Sequence, residues 1–212
     1  MKLAACISVY NEEGKLDRCL NSLVGFVDEI MVVDGVMWDV QERRRCFFDL
    51  LKLWPGSTDG THEAFLRFKL EHPSLRLWWI PNNGGWISEV WKRNYMLDAY
   101  RRLNSIEECP DAWFFVIDGD EYLEGNRVEA KAELEKLNNK GASSASILIR
   151  RLGIKDDEYW MPRFYRWDPT LHYCRNHYSV CILNGKGEHV DLTSTRAKVN
   201  SVWLMHDPSP EV

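Results

Sequence analysis

Six cysteines are scattered through this 212-residue chain, yet no two stand in CxxC spacing. Cys6, Cys19, Cys46, Cys109, Cys174 and Cys181 therefore imply no zinc site, and a disulfide framework is not expected at this length. Cys6 and Cys19 fall in apolar strand and helix patterns, where a free thiol behaves as a small buried hydrophobe. A basic excess is missing too: 27 Lys and Arg face 32 Asp and Glu, a net charge of −5. That argues against a nucleic-acid partner, which usually demands a basic surface. No apolar run approaches the ~20 residues of a membrane span. Met1 leads straight into a strand pattern with no basic-then-apolar leader, so the expected setting is reducing and cytoplasmic. Repeats and low-complexity stretches are absent. Aromatics are plentiful, with ten Trp, eight Tyr and eight Phe; such rings fill cores most often and also stack on sugars and bases.

With 45% hydrophobic and 28% charged residues, one globular domain with one sizeable core is the expectation. Leu3 to Val9 is a short apolar run ending at Tyr10-Asn11, a first buried strand. Glu12-Glu13 opens a helix where acids suit the dipole, and Leu16, Leu20, Leu23, Val24 and Val27 make one apolar stripe. Glu29 to Asp34 is a second strand ending on an acid. Residues 58–72 read as a helix capped by Ser57 or Thr58, and 75–80 as a third strand stopped at Pro81. A helix over 86–103 precedes a fourth strand, Trp113 to Ile117. This alternation predicts an α/β fold with a doubly wound, mostly parallel sheet. The second half predicts a solvated helix over 127–139, then strands over 146–151, 159–167, 172–183 and 199–206 that complete the sheet and build an acceptor face.

Asp118-Gly119-Asp120 follows the fourth strand directly. Two carboxylates that close repel and raise each other's pKa, a penalty that Mg²⁺ or Mn²⁺ would remove by taking oxygen ligands. The plainer reading is a turn, since a lone DxD is a weak motif. Its context strengthens it: Tyr10-Asn11-Glu12 ends the first strand and Asp34 the second, and in a parallel sheet these ends share one edge, where ligands bind. Asn94 lies on the stripe Val90, Asn94, Leu97, where an apolar residue is expected, so it needs a ligand or a neighbouring backbone as partner. Lys92 and Arg93 could neutralise phosphates or form a solvated face.

The segments ISVYNEEGKLDRCLNSL, VDEIMVVDG, GSTDGT, SEVWKRNYMLDAY and WFFVIDGDEYL, in this order, resemble the GT-A fold glycosyltransferases, specifically the family-2-like group. They cover roughly residues 3 to 123; a looser likeness covers PRFYRWDPTLHYCRNHYSV and VWLMH. The resemblance implies a single GT-A (Rossmann-like) domain over 1–206, a nucleotide-sugar half at 1–123 and an acceptor half at 124–206. It also implies a metal-dependent transfer from a nucleoside-diphosphate sugar, UDP the expected nucleotide, to a hydroxyl acceptor such as a glycan. Tyr10, Glu12 and Asp34 would hold the nucleoside, with Asn11, Gly35 and Gly119 at matched positions beside them. Lys92, Arg93, Asn94 and Arg163 would line the donor site, Arg163 against a phosphate, and Arg93 and Asp120 would be catalytic. Asp118 and Asp120 would carry Mn²⁺ or Mg²⁺, with His206 a third ligand or a phosphate contact.

Residues 36–55 depart from the family's short Gly-Ser turn; Val40, Phe47, Phe48, Leu50, Leu51 and Leu53 predict a short amphipathic helix there, a lid or a surface decoration. An inverting reaction needs a carboxylate base. Asp156, Asp157 and Glu158 offer one, Asp157 foremost, or are an exposed acidic turn. Residues 207–212 have linker composition and are expected to lead to a further domain. Two other readings stand beside the transferase. A nucleotidyltransferase would carry a glycine-rich basic loop where this chain has acidic YNEEG. A silent sugar-binding module would have no need of paired carboxylates.

Overall fold

Leu3, Ala5, Ile7 and Val9 alternate with Ala4 and Cys6 along the first strand, β1 (Lys2–Val9), and both sets are buried. A strand with two apolar faces must be covered on both sides, and this one is. The structure, a computed structural model, describes residues 1–36, 56–81, 86, 88–104, 111–154, 156–175 and 179–207. The helix expected within 36–55 and the tail beyond Asp207 lie outside these residues.

After β1 come α1 (Glu13–Leu23), β2 (Glu29–Asp34), α2 (Thr61–Glu71), β3 (Arg76–Ile80), α3 (Glu89–Leu103), β4 (Ala112–Asp118), β5 (Glu121–Gly125) and α4 (Arg127–Asn139). The second half adds β6 (Ser144–Arg151), β7 (Glu158–Arg166), β8 (His172–Tyr173), β9 (Val180–Leu183), β10 (His189–Asp191) and β11 (Lys198–His206). Eight strands form one sheet in the order β3-β2-β1-β4-β7-β6-β11-β5. β3, β2, β1 and β4 run parallel, as do β6 and β11, while β7 and β5 run against their neighbours. The fold is thus mixed α/β with a mostly parallel sheet.

Helices α1, α2 and α4 cover one face: Leu16, Leu20, Phe65, Phe68 and Leu134 pack on Leu3, Ile7, Ile30, Phe115 and Ile117. On the other face Met96, Leu97 and Tyr100 of α3 pack on Ala4, Cys6, Phe114 and Val116. Phe115 and Phe164 are register partners whose rings stack at 4.5 Å, joining the parallel half of the sheet to β7. No helix among the described residues is long and apolar enough to cross a membrane.

Several expectations change. Glu121–Gly125 form a strand, β5, to which no element was assigned from the sequence. Residues 172–183 are two strands, not one, and with β10 they make a separate three-stranded sheet, β10-β9-β8, packed over α3 through Tyr173 and Val180. Helix α2 starts at Thr61, behind Gly60. Neither expected cap serves it: Gly60 stands at the N-cap with no side-chain cap bond, and Ser57, three residues earlier, donates its hydroxyl to Asp34 at 2.6 Å. Cys174 and Cys181 form a disulfide, Cα–Cα 6.2 Å, where none was expected. Sequence spacing hid that pair; strand pairing brings it together.

Candidate functional site

Register fixes the site before any side chain is considered. Val9 pairs with Asp34 and Ser8 with Asp118, so the ends of β1, β2 and β4 reach the same sheet edge within a residue of one another. A cavity of about 390 Å³ opens there. Tyr10 and Glu12 wall it from the β1 end, Glu89 and Lys92 from α3, Asp118, Gly119 and Asp120 from the β4–β5 turn, and His206 from the end of β11. Gly119 is required by closeness: a Cβ there would stand 2.8 Å from Val9 Cγ1 and 3.3 Å from Glu12 Cγ.

Beneath this rim lies a buried charge cluster. Arg93 donates from Nη2 to Asp118 Oδ1 at 2.8 Å and to Glu89 Oε1 at 2.6 Å. Arg163 reaches Asp118 Oδ2 at 3.3 Å and Glu121 Oε1 at 2.6 Å, and Glu121 Oε2 accepts from the Asp118 amide at 2.9 Å. Continuing the Phe115–Phe164 register, Arg163 falls on the face that carries Val116 and Asp118, toward α3. Burial works to raise the Asp118 pKa, but the guanidiniums of Arg93 and Arg163 overcome it and hold the carboxyl well below the usual range. Glu121 goes the other way, pushed up to about 7 by burial against the pull of Arg163. Both Asp118 oxygens are thus engaged by arginines from α3 and β7.

Asp120 faces the cavity differently. Its Oδ2 lies 3.1 Å from His206 Nε2. That hydrogen bond raises the His206 pKa against the opposing effect of burial. Glu12 is also raised, by burial first and by the Asp120 charge second. Asp207 locks the end of β11 in place: its amide donates to Asp120 O at 3.0 Å, and Lys15 Nζ donates to its carbonyl at 2.8 Å.

The donor set fits a divalent ion in one specific way. Neighbouring ligands roughly 2.1 Å from an octahedral cation sit roughly 3 Å apart, the separation Asp120 and His206 already have. His206 Nδ1 is buried without a hydrogen-bond partner among the described residues. No group of three His, Cys, Asp or Glu among the described residues forms a metal cage. An ion here would draw its remaining ligands from substrate oxygens and water.

Other expected residues are placed as follows. Asp34 is buried behind the rim, its carboxylate accepting from Ser57 N at 2.8 Å and Ser57 Oγ at 2.6 Å. Asn11 adopts φ 54°, which Asn tolerates, and clips the same loop: its amide donates to Ser57 Oγ and its Oδ1 accepts from Thr58 N. Lys92 donates from Nζ to Val9 O at 2.7 Å and Gly35 O at 2.9 Å, tying β1 to β2, and burial pushes its pKa down to about 8. Asn94 turns away from the cavity, its amide exchanging two hydrogen bonds with the Tyr173 backbone at 2.9 and 2.7 Å. Asp157 lies outside the cavity walls and pairs with Arg151 at 3.4 Å. Glu89 and Glu121 were not singled out by any role; the only signal for Glu89 was its i, i+4 spacing to Arg93.

No family model matches this chain, and no curated protein matches it either. Solved structures do. S. aureus TarS 1-349 in complex with UDP-GlcNAc is similar over 100% of this chain and 60% of that one, with a TM-score of 0.54 at 15% identity. S. aureus TarS 1-349 aligns over 73% of this chain and 37% of its own, and its complex with UDP over 72% and 37%, both with a TM-score of 0.49 at 18% identity. The chain thus spans between 37% and 60% of the length of these solved chains. At 15% identity what the first comparison shows is a shared fold, the mixed α/β architecture with its mostly parallel sheet flanked by helices.

Proposed function

We propose that this chain is a glycosyltransferase of the GT-A kind, taking a sugar from a UDP-sugar or other nucleoside-diphosphate sugar and passing it to a hydroxyl acceptor such as a glycan. The observation that carries this reading is the meeting of Asp120 and His206, 3.1 Å apart, in a cavity at the carboxyl edge of a parallel sheet. A structure sharing the fold was solved with UDP-GlcNAc, which supports a nucleotide-sugar donor here.

Asp120 and His206 would hold Mn²⁺ or Mg²⁺ at the diphosphate. Bound there, the ion supplies Lewis-acid neutralisation of the charge growing on the leaving nucleotide. The remaining roles belong to the chain itself. Lys92, its Nζ held beneath the rim by Val9 O and Gly35 O, lends its positive charge to the phosphates from the cavity wall. Tyr10 offers an aromatic wall to the base. Asp118 acts as a strut: with its oxygens held by Arg93 and Arg163, it fixes where the β4–β5 turn aims Asp120.

A panel of nucleotide sugars, each with Mn²⁺ or with chelator, tests this. At least one UDP-sugar should raise the melting temperature and be hydrolysed only with the metal, and Asp120→Ala should do neither. A full panel with no stabilisation and no hydrolysis would overturn the reading, and release of sugar 1-phosphate in place of nucleoside diphosphate would point to a nucleotidyltransferase.

A further inference from the structure

The small sheet β10-β9-β8 has two faces of opposite character. Tyr173, Val180 and Ile182 face the core over α3. Register puts the chemistry on the other face. Cys181 pairs laterally with His172 on one side and with Asp191 on the other, and paired residues share a face. Cys174 is two residues beyond His172, and His189 two before Asp191, so alternation returns both to that face. The disulfide joins Cys174 to Cys181, and the His172 and His189 rings meet with Nε2 and Nδ1 3.0 Å apart. Cys174, Arg175, Cys181, His189 and Asp191 border one cavity of about 180 Å³, which shares no lining residue with the Asp120 cavity.

From this we infer a second site: with the Cys174–Cys181 bond reduced, the two thiolates and the imidazoles of His172 and His189 bind one thiophilic divalent ion, Zn²⁺ being the best match. Two sulfurs and two imidazoles are a tetrahedral zinc donor set. His172 is already oriented for it. Its Nδ1 lies 2.6 Å from Thr170 O, so Nδ1 carries the proton and Nε2 keeps its lone pair, the outer-shell arrangement typical of ligating histidines. Asp191 also borders the cavity, its Oδ1 accepting from Thr193 N at 2.7 Å, and stands outside the four-donor set. While the disulfide is closed its sulfurs cannot ligate, and no three-donor group stands among the described residues. A dithiol supplies the two electrons and two protons that open the bond, or a phosphine supplies the electrons while water gives the two protons and its oxygen to the phosphine oxide; Zn²⁺ then displaces both thiol protons. Nothing in this site depends on the transferase reading.

The test is zinc titration of the whole protein after phosphine reduction, with iodoacetamide labelling read peptide by peptide. Reduced protein should bind one Zn²⁺ that protects Cys174 and Cys181 from alkylation, and Co²⁺ in its place should show thiolate charge-transfer absorption. The oxidised protein and Cys174→Ser/Cys181→Ser should show neither. Labelling of the unmutated chain makes the result independent of whether that variant folds. Unprotected thiols in zinc-saturated reduced protein, or equal binding by the oxidised form, would overturn the inference.

Discussion

His206 Nε2 lies 3.1 Å from Asp120 Oδ2, across 86 positions of sequence. The last described strand therefore closes a site that the ends of β1, β2 and β4 begin. Both side chains are about one-fifth exposed, and an ion pair at such a position stabilises a fold by only ~0–1 kcal/mol. Asp120→Asn and His206→Ala should leave the melting temperature nearly unchanged while lowering metal-dependent turnover by on the order of 10²-fold or more, since Lewis-acid assistance is worth several kcal/mol. Parallel melts and turnover with Mn²⁺ titration check this.

Asp118 should behave in the opposite way. Truncating it leaves the buried Arg93 and Arg163 facing each other with less compensation, and breaking a buried ion pair costs about 3–5 kcal/mol. Asp118→Ala should thus fall sharply in urea stability, and the difference from Asp120→Asn separates strut from ligand. Equal stability of the two variants would contradict the division of roles within one DxD motif.

That division also marks what the sequence could convey. The strand ends at Val9, Asp34 and Asp118 were legible because apolar runs stop abruptly at polar residues, and α1 because Leu16, Leu20 and Leu23 repeat at helical spacing. The partners of Asp118 were not legible. Arg163 meets Glu121 across 42 positions, and only the antiparallel return of β7 brings them together. β5 was hidden because EYLEG follows a turn motif and is too short to show alternation. Strands β8 and β9 read as one because the sequence between them, CRNHYS, holds no Gly or Pro to break the run. His206 came from resemblance alone; a single histidine carries no periodic signal.

Gly119 shows how closely the turn is seated. Its Cβ space is filled by Val9 and Glu12 on one side and by Ser8 O at 3.4 Å on the other. Gly119→Ala should cost roughly 1–3 kcal/mol through overpacking and should reduce turnover further than that loss implies, because the displaced turn carries Asp120. Comparing kcat under conditions where the variant is fully folded isolates the second effect.

Asn94 was expected at the donor and is found stapling β8 to α3. Asn94→Ala strips the Tyr173 backbone of two partners, a loss of about 1–3 kcal/mol if they stay unsatisfied. The denaturation midpoint should drop while the donor dissociation constant holds within about twofold, as for a residue outside the cavity. A weakened donor affinity with unchanged stability would return Asn94 to the binding site.

Lys92 gives the pH dependence. Its folded pKa of about 8 lies below the ordinary 10.5 because burial disfavours the charged form. Between these two values the unfolded chain holds a proton that the folded chain has released, so this group's contribution to stability rises with pH across that window. Donor affinity should move the other way, since a diphosphate is attracted to the ammonium and not to the neutral amine. In the protein without donor, log affinity should therefore bend downward as pH passes about 8, while the melting temperature gains from the same deprotonation. Lys92→Met should flatten both curves, and a bend that persists in that variant would assign the titration to another group. Calorimetric affinities and thermal melts over pH 6–10 in one buffer series decide between the two.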